Sequence, residues 1–380
     1  MTKITTRAAN LIVWSVIIPT ATWMTLPPLH AQTTFQVIHH LGLSDGYEPN
    51  GLARDSTGNI FGTTSGGRGT VFKIDPSHMF TVVYAFSGAP DGSSPRARVT
   101  PDNAGNLYGT TAFGGSNDQG TIFKIDSSGT ETIMRSFKGS GGSYPFGSLT
   151  LDPAGNLYGT TQLGGALNNG VVFRINASGT GRILHKFSGP DGSRPRESLV
   201  KDAAGNLYGT TVLGGDYDRG TVFKLAPDGM ETVLHHFTSG ADGAYPTCEL
   251  ILDSAGNLYG EAAAGGAFSH GTVFKLDSSG VFSILHSFLS QAEGDDAIGG
   301  LVMDSAGNLY GVTLVGGDFG AGNVFKIDPS GNETVLYSFT GGSDGLYPSS
   351  TLLLSPDGTL YGTTLEGGNY GHGTVFKIKR

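Results

Sequence analysis

The stretch Asp202-Ala203-Ala204-Gly205-Asn206-Leu207-Tyr208-Gly209-Thr210-Thr211 decides the fold, because versions of it run the length of the chain. Its core, Gly-Asn-Leu-Tyr-Gly, begins at Gly105, Gly155, Gly205, Gly256 and Gly307. Looser copies are Gly58-Asn59-Ile60-Phe61-Gly62 and Gly358-Thr359-Leu360-Tyr361-Gly362. Seven copies spaced by 47 to 51 residues signal supersecondary units that stack or close into a ring.

Working outward, the fourth copy resolves into four strand-like runs: A over 198–201, B over 206–211, C over 221–225 and D over 232–237. Each has the length of a strand in a compact sheet. Between A and B, Asp202 can bond backbone two residues on, while Gly205 and Asn206 tolerate positive φ, so this is a tight hairpin. Ala226-Pro227-Asp228-Gly229 does the same between C and D. Gly209, inside run B, marks close approach of a neighbour. Phe223 and its equivalents Phe72, Phe123, Phe173, Phe274, Phe325 and Phe376 are packing elements.

The expected fold is all-β: a seven-bladed β-propeller with four-stranded antiparallel blades. The chain ends favour a closed ring over an open stack. Residues 34–41 match run D, whereas the last copy stops at run C, Thr374-Val375-Phe376-Lys377-Ile378. The N-terminal strand is expected to complete the C-terminal blade, which removes exposed edges.

Composition narrows the function classes. Residues 1–31 read as a signal peptide, with Lys3 and Arg7 ahead of an apolar stretch broken by Pro19, and cleavage after Ala31. Residues 32–380 then form one propeller domain. The alternative is an uncleaved membrane anchor, and membrane contact is expected only through this segment. Formal charge is −9, and −11 once Lys3 and Arg7 leave, which argues against nucleic acid. Cys248 is the only cysteine, so no internal disulfide can form. The protein is expected to be secreted, extracellular or periplasmic, and monomeric.

The repeat resembles the GloVer tandem-repeat family of secreted bacterial proteins. The residues that carry the likeness are Asp-x-Ala-Gly-Asn-Leu-Tyr-Gly-Thr-Thr, then Gly-Gly, Gly-Thr-Val-Phe-Lys-Ile and Val-Leu-His-Ser-Phe, best seen over 202–237. It extends over about 34–380. The resemblance implies export and often a C-terminal surface anchor; the ending Lys379-Arg380 favours free secretion instead. The Asp-x-x-Gly-Asn-Leu-Tyr core is also similar to NHL-type propellers. Kelch units have this length but carry a tryptophan, and Trp14 and Trp23 both lie in the leader.

Departures from the repeat mark candidate sites. By analogy with four-stranded blades, run A lines the channel, and the variable B–C and D–A loops share the face where binding resides. Arg96 and Arg98 flank run A of copy two, and Arg194 and Arg196 that of copy four; guanidinium forks suit carboxylates and phosphates. Glu249 and Glu261 stand out in copy five, where Glu261 replaces the usual Thr. They are expected to bind ligand together with these arginines. Asp295 and Asp296, in an altered D–A loop, could hold calcium, the one cofactor candidate; a solvated acidic rim is the plainer expectation. Tyr47, Tyr144, Tyr245 and Tyr347 beside the D–A proline are expected to cap the core between blades. Histidines 39, 185, 235 and 286 share one position in run D, so blade order spreads them around the outer rim in structural roles. No HExxH, paired CxxC or P-loop is present. The two G-x-S-x-G matches, at Gly42 and Gly341, are D–A loops and not nucleophile elbows.

The function expected is a non-catalytic binding scaffold for an extracellular glycan, peptide or surface protein. The rival is a channel-site enzyme, such as a metal-dependent lactonase or a polysaccharide-degrading hydrolase or lyase. Fold alone separates neither.

Overall fold

The computed structural model describes residues 33–380; the leader expected over 1–31 lies outside them. Alternating short apolar runs and Asx/Gly turns give antiparallel hairpins, and the chain is all-β, with one three-residue 3-10 turn at Gly139–Gly141 among the described residues. Blade four shows the pattern. Val200–Lys201, Leu207–Thr211, Thr221–Leu225 and Glu231–His236 pair in that order as a four-stranded antiparallel sheet. Seven such blades follow one another. In the last, Thr34–His40 pairs antiparallel with Thr374–Lys379 as the outermost strand.

A register shift recurs between strands C and D, as at Val222/Phe223, so each outer strand carries a bulge that deepens its twist. The core lies between blades. Phe223 is fully buried and meets Phe187 of blade three edge-on at 5.1 Å. The same pair recurs around the ring, for example Phe137–Phe173 at 5.2 Å and Phe237–Phe274 at 5.4 Å. Each such contact contributes about 0.5–1.5 kcal/mol beyond area burial. In the place of the outer Phe, the N-terminal strand leads into Leu41, which packs with Phe72 of blade one.

Glycine follows from this packing. A Cβ on Gly209 would lie 2.8 Å from both Phe223 and Leu199, so strand B must be bare where the next ring crosses it. Gly220, at φ +96, receives Pro246 of blade five, 2.6 Å from where its Cβ would be.

Candidate functional site

Short A strands converge on the axis, and the five-residue segments before them, from the D–A proline to a buried leucine or valine, form the channel wall. Pro95-Arg96-Ala97-Arg98-Val99, Pro145-Phe146-Gly147-Ser148-Leu149 and Pro195-Arg196-Glu197-Ser198-Leu199 are successive examples. D–A and B–C loops pair on one face, as in Ser143 with Leu163 and Ser193 with Leu213. On that face opens a cavity of about 330 Å³, lined by Arg96, Arg98, Phe146, Arg196, Glu197 and Glu249 among others. The opposite mouth is wider, about 770 Å³, and walled mainly by aliphatic side chains such as Val99, Leu199, Ile251 and Leu353.

Arg98 and Glu249 line both cavities. They come from blades two and five and meet as a two-pronged ion pair, Nη2 to Oε1 at 2.6 Å with Nη1 on Oε2. This pair is the floor between the two mouths. Burial works against the Arg98 charge, but Glu249 and its hydrogen bond outweigh it and raise the guanidinium further. Arg98 therefore keeps its charge at any physiological pH.

Above the floor, Phe146 stands between two cations. The guanidinium carbons of Arg96 and Arg196 lie 5.5 Å and 5.2 Å from its ring centroid. Arg196 Nε is buried without a hydrogen-bond partner. Beside it, Glu197 is pushed up to about 7, by burial first, with Glu249 adding to the rise and Arg196 and Arg98 opposing it. The mouth thus offers an aromatic face, two guanidinia and a carboxyl that titrates near neutrality.

The structure brings together Arg96, Arg98, Arg196 and Glu249. Arg194 does not join them. It is exposed, at φ +57, beside the blade-three loop whose Asn169 carbonyl accepts its amide at 2.8 Å. Glu261 departs furthest from expectation: it is fully buried between blades five and six. In most blades the residue here is a threonine whose hydroxyl donates to a carbonyl of the next blade, as Thr160 does to Glu197 at 3.0 Å. Blade six turns at Gly299-Gly300, with φ +95 and +105, and presents an amide instead. Glu261 accepts it, Gly300 N to Oε2 at 3.0 Å. Burial pushes its carboxyl up to about 8. Asp295 faces His270, 3.2 Å from Nδ1, and Asp296 has φ +55 and a carboxyl raised by burial and by Asp295. Neither is gathered with Glu249 or Glu261.

Sequence reasoning missed Phe146 and Glu197. Both occupy the three variable positions between proline and leucine, and aligning those segments side by side would have exposed them. The tyrosines near the D–A proline cover neighbouring blades: Tyr144 meets Phe113 edge-on at 5.5 Å, and Arg219 stacks over Tyr245 at 5.5 Å. Cys248 is buried, takes the Glu261 amide on its sulfur at 3.1 Å, and is no nucleophile, since burial holds its thiol protonated.

Comparison with known proteins adds a family and a fold. The Gloeobacter/Verrucomicrobia repeat matches twice, over residues 22–204 and 177–376. No curated protein matches the sequence. Among solved structures, a protein described as the extracellular domain of a hybrid two component system, BT3049 of B. thetaiotaomicron, superposes at TM-score 0.60 with 14% identity, over 90% of this chain and 41% of that one. The extracellular domain of a one component system, BT4673 of the same organism, gives 0.58 and 18%, over 91% and 41%. The chain thus spans about two fifths of these proteins' length, and the likeness is one of fold. A gluconolactonase, XC5397 from Xanthomonas campestris, gives 0.47 and 12%, over 92% and 90%. Among the described residues no helix is long and apolar enough to cross a membrane.

Proposed function

This chain belongs to the Gloeobacter/Verrucomicrobia repeat family, and we propose that it is a non-catalytic binding propeller of the cell exterior whose ligand enters the channel mouth on the D–A face. The observation that carries the reading is the Arg98–Glu249 pair, which closes the channel and turns its mouth into a cup. The cup's volume lies at the lower end for small-ligand pockets. Its unspent chemistry is Arg96 and Arg196 around Phe146. A sugar ring bearing a carboxylate fits this set, since guanidinium forks take the carboxylate and the ring packs against Phe146. The exterior location is supported by the basic and apolar leader and by the extracellular origin of the two superposed domains.

The test is titration calorimetry of the protein with uronate-containing and matched neutral oligosaccharides. Arg196→Ala and Arg96→Ala should each weaken the acidic ligand at least tenfold. Unchanged affinity in both variants would remove the cup from consideration.

One observation favours the enzyme reading: Glu197, held near neutrality in a cleft, has the character of a general acid or base. Glu249, the acidic neighbour that raises it, is committed to Arg98 and supplies no second catalytic carboxylate. Turnover of a bound oligosaccharide that Glu197→Gln abolishes, with affinity retained, would decide for catalysis.

A further inference from the structure

The outer rim repeats one contact at each junction between blades. A residue in strand D reaches the following D–A loop and also meets a residue at the start of the next blade's strand D. At two junctions the meeting residue is Phe, stacked on histidine: His39–Phe80 at 3.9 Å and His235–Phe282 at 3.7 Å. At three others it is Glu, and at the two of these where it meets a histidine three ligand-type side chains converge: His286, Glu293 and Glu333, and His185, Asp191 and Glu231, with one ligand atom of each within 4.8 Å of the others.

The blade five–six cluster is arranged unlike an ordinary hydrogen-bonded rim. His286 Nδ1 faces the Gly331 carbonyl oxygen at 3.3 Å. A carbonyl only accepts, so Nδ1 carries the proton and Nε2 presents its lone pair. That Nε2 is buried with no hydrogen-bond partner, and so is Glu333 Oε1. Glu293 Oε2 lies 3.7 Å from Nε2 and is fixed by the Leu289 amide at 2.7 Å. Two ligands of one tetrahedral zinc sit about 3.3 Å apart, so small carboxylate rotations complete the set. An imidazole whose other nitrogen is held by a carbonyl is the usual second-shell arrangement of a metal-binding histidine.

We propose that His286, Glu293 and Glu333 form a binding site for a divalent transition-metal cation of the zinc type, clamping blade five to blade six. The cation replaces two orphaned buried atoms and the repulsion of adjacent carboxylates by three coordinate bonds. Water fills the remaining position. One imidazole with two carboxylates suits zinc and its first-row neighbours better than calcium, which takes six to eight oxygens. The blade three–four cluster is the weaker counterpart, because His185 Nε2 is already bonded to Asp191 at 2.9 Å.

The experiment is zinc analysis of the purified protein after equilibration with zinc and dialysis, paired with thermal melts and the visible spectrum of the cobalt-loaded form. Wild type should retain one zinc, melt about 4 °C higher at a hundredfold excess over Kd, and show a tetrahedral cobalt band. Glu333→Gln and His286→Tyr should lose all three signals. Tyrosine occupies this position in two other blades, as Tyr84 and Tyr337, so the second variant keeps the fold. Glu231→Gln should leave them intact. Zinc retained equally by the Glu333 and His286 variants, or no zinc retained by wild type, would overturn the site.

Discussion

The A–B hairpins and the channel-wall segments lie a few residues apart in each copy, yet they obey opposite rules. In blades two to six the hairpin is one device. Its Asp accepts the Asn side chain, the Asn amide and the Tyr hydroxyl, as Asp202 does from Asn206 at 2.6 and 2.8 Å and Tyr208 at 3.0 Å. These three partners lie in the same blade as the Asp, so repetition preserves the set. The channel segments keep little beyond a proline, replaced by Ala297 in blade six, and a buried aliphatic residue, Val99 in blade two and leucine elsewhere. Their one ion pair is made across the axis, and a residue cannot be its own counter-ion: Arg98 in blade two needs Glu249 in blade five. Closing the channel therefore required the copies to diverge. What is self-sufficient repeats; what is mutual differs.

The largest effect should come from breaking the shared part. Gly209→Ala pushes a methyl into Phe223 and Leu199 and should cost about 2–3 kcal/mol, as overpacked cores do. Urea unfolding would read it. A loss under about 0.5 kcal/mol would mean that the strands slide past one another more freely than seven identical contacts suggest. Asp202→Ala removes the acceptor of the hairpin and should cost about 1–2 kcal/mol. The same change at Asp152 adds the loss of Lys201 from blade four, bonded at 3.0 Å, and should exceed it.

Solution pH separates the two kinds of carboxyl. Burial would raise the hairpin aspartates, but the Asn and backbone donors outweigh it, joined by Tyr at Asp102, Asp202 and Asp253 and by Arg380 at Asp304, and all four are lowered. Their stabilisation is present above the unfolded value of about 4 and is lost as pH falls below it. The glutamates at blade junctions shift the other way. Burial pushes Glu131, Glu231 and Glu333 up to about 7 and Glu261 to about 8. The native state holds these protons after the unfolded chain has released them, so stability declines as pH rises from about 4.5 to 8. In metal-free buffer the melting temperature should peak in the mildly acidic range. A flat profile from pH 5 to 8 would count against the buried glutamates. Glu261→Gln should flatten the upper part of the decline while changing stability at pH 5 by less than about 0.5 kcal/mol, since glutamine keeps an acceptor for Gly300 N.

The same distinction explains how much of the molecule was legible beforehand. Strand order, blade number and the packing roles of Gly209 and Phe223 follow from features each copy contains entire. Arg98 and Glu249 could be singled out as departures, but their meeting depends on which blades face each other across the ring. Glu261 was deceptive for the same reason. Its departure from threonine answers a second departure, Gly299-Gly300, in the next blade, and a buried compensation leaves the same trace in sequence as an open site. The histidines at 185 and 286 align at one position of the repeat, whereas the glutamate each meets lies in the next copy.

Arg194 gives the smallest and sharpest contrast. It was grouped with Arg196 by nearness in sequence, but the left-handed residue before Pro195 directs it outside the cup, in the place that Tyr144 and Tyr245 hold in neighbouring blades. Arg194→Ala should change stability by less than about 0.5 kcal/mol and leave binding of an acidic oligosaccharide unchanged, while Arg196→Ala two residues away weakens it. Equal losses at both positions would place the ligand over the loops and not in the channel mouth. The asymmetry of this pair is therefore the most direct test that function resides where residues answer one another across the ring.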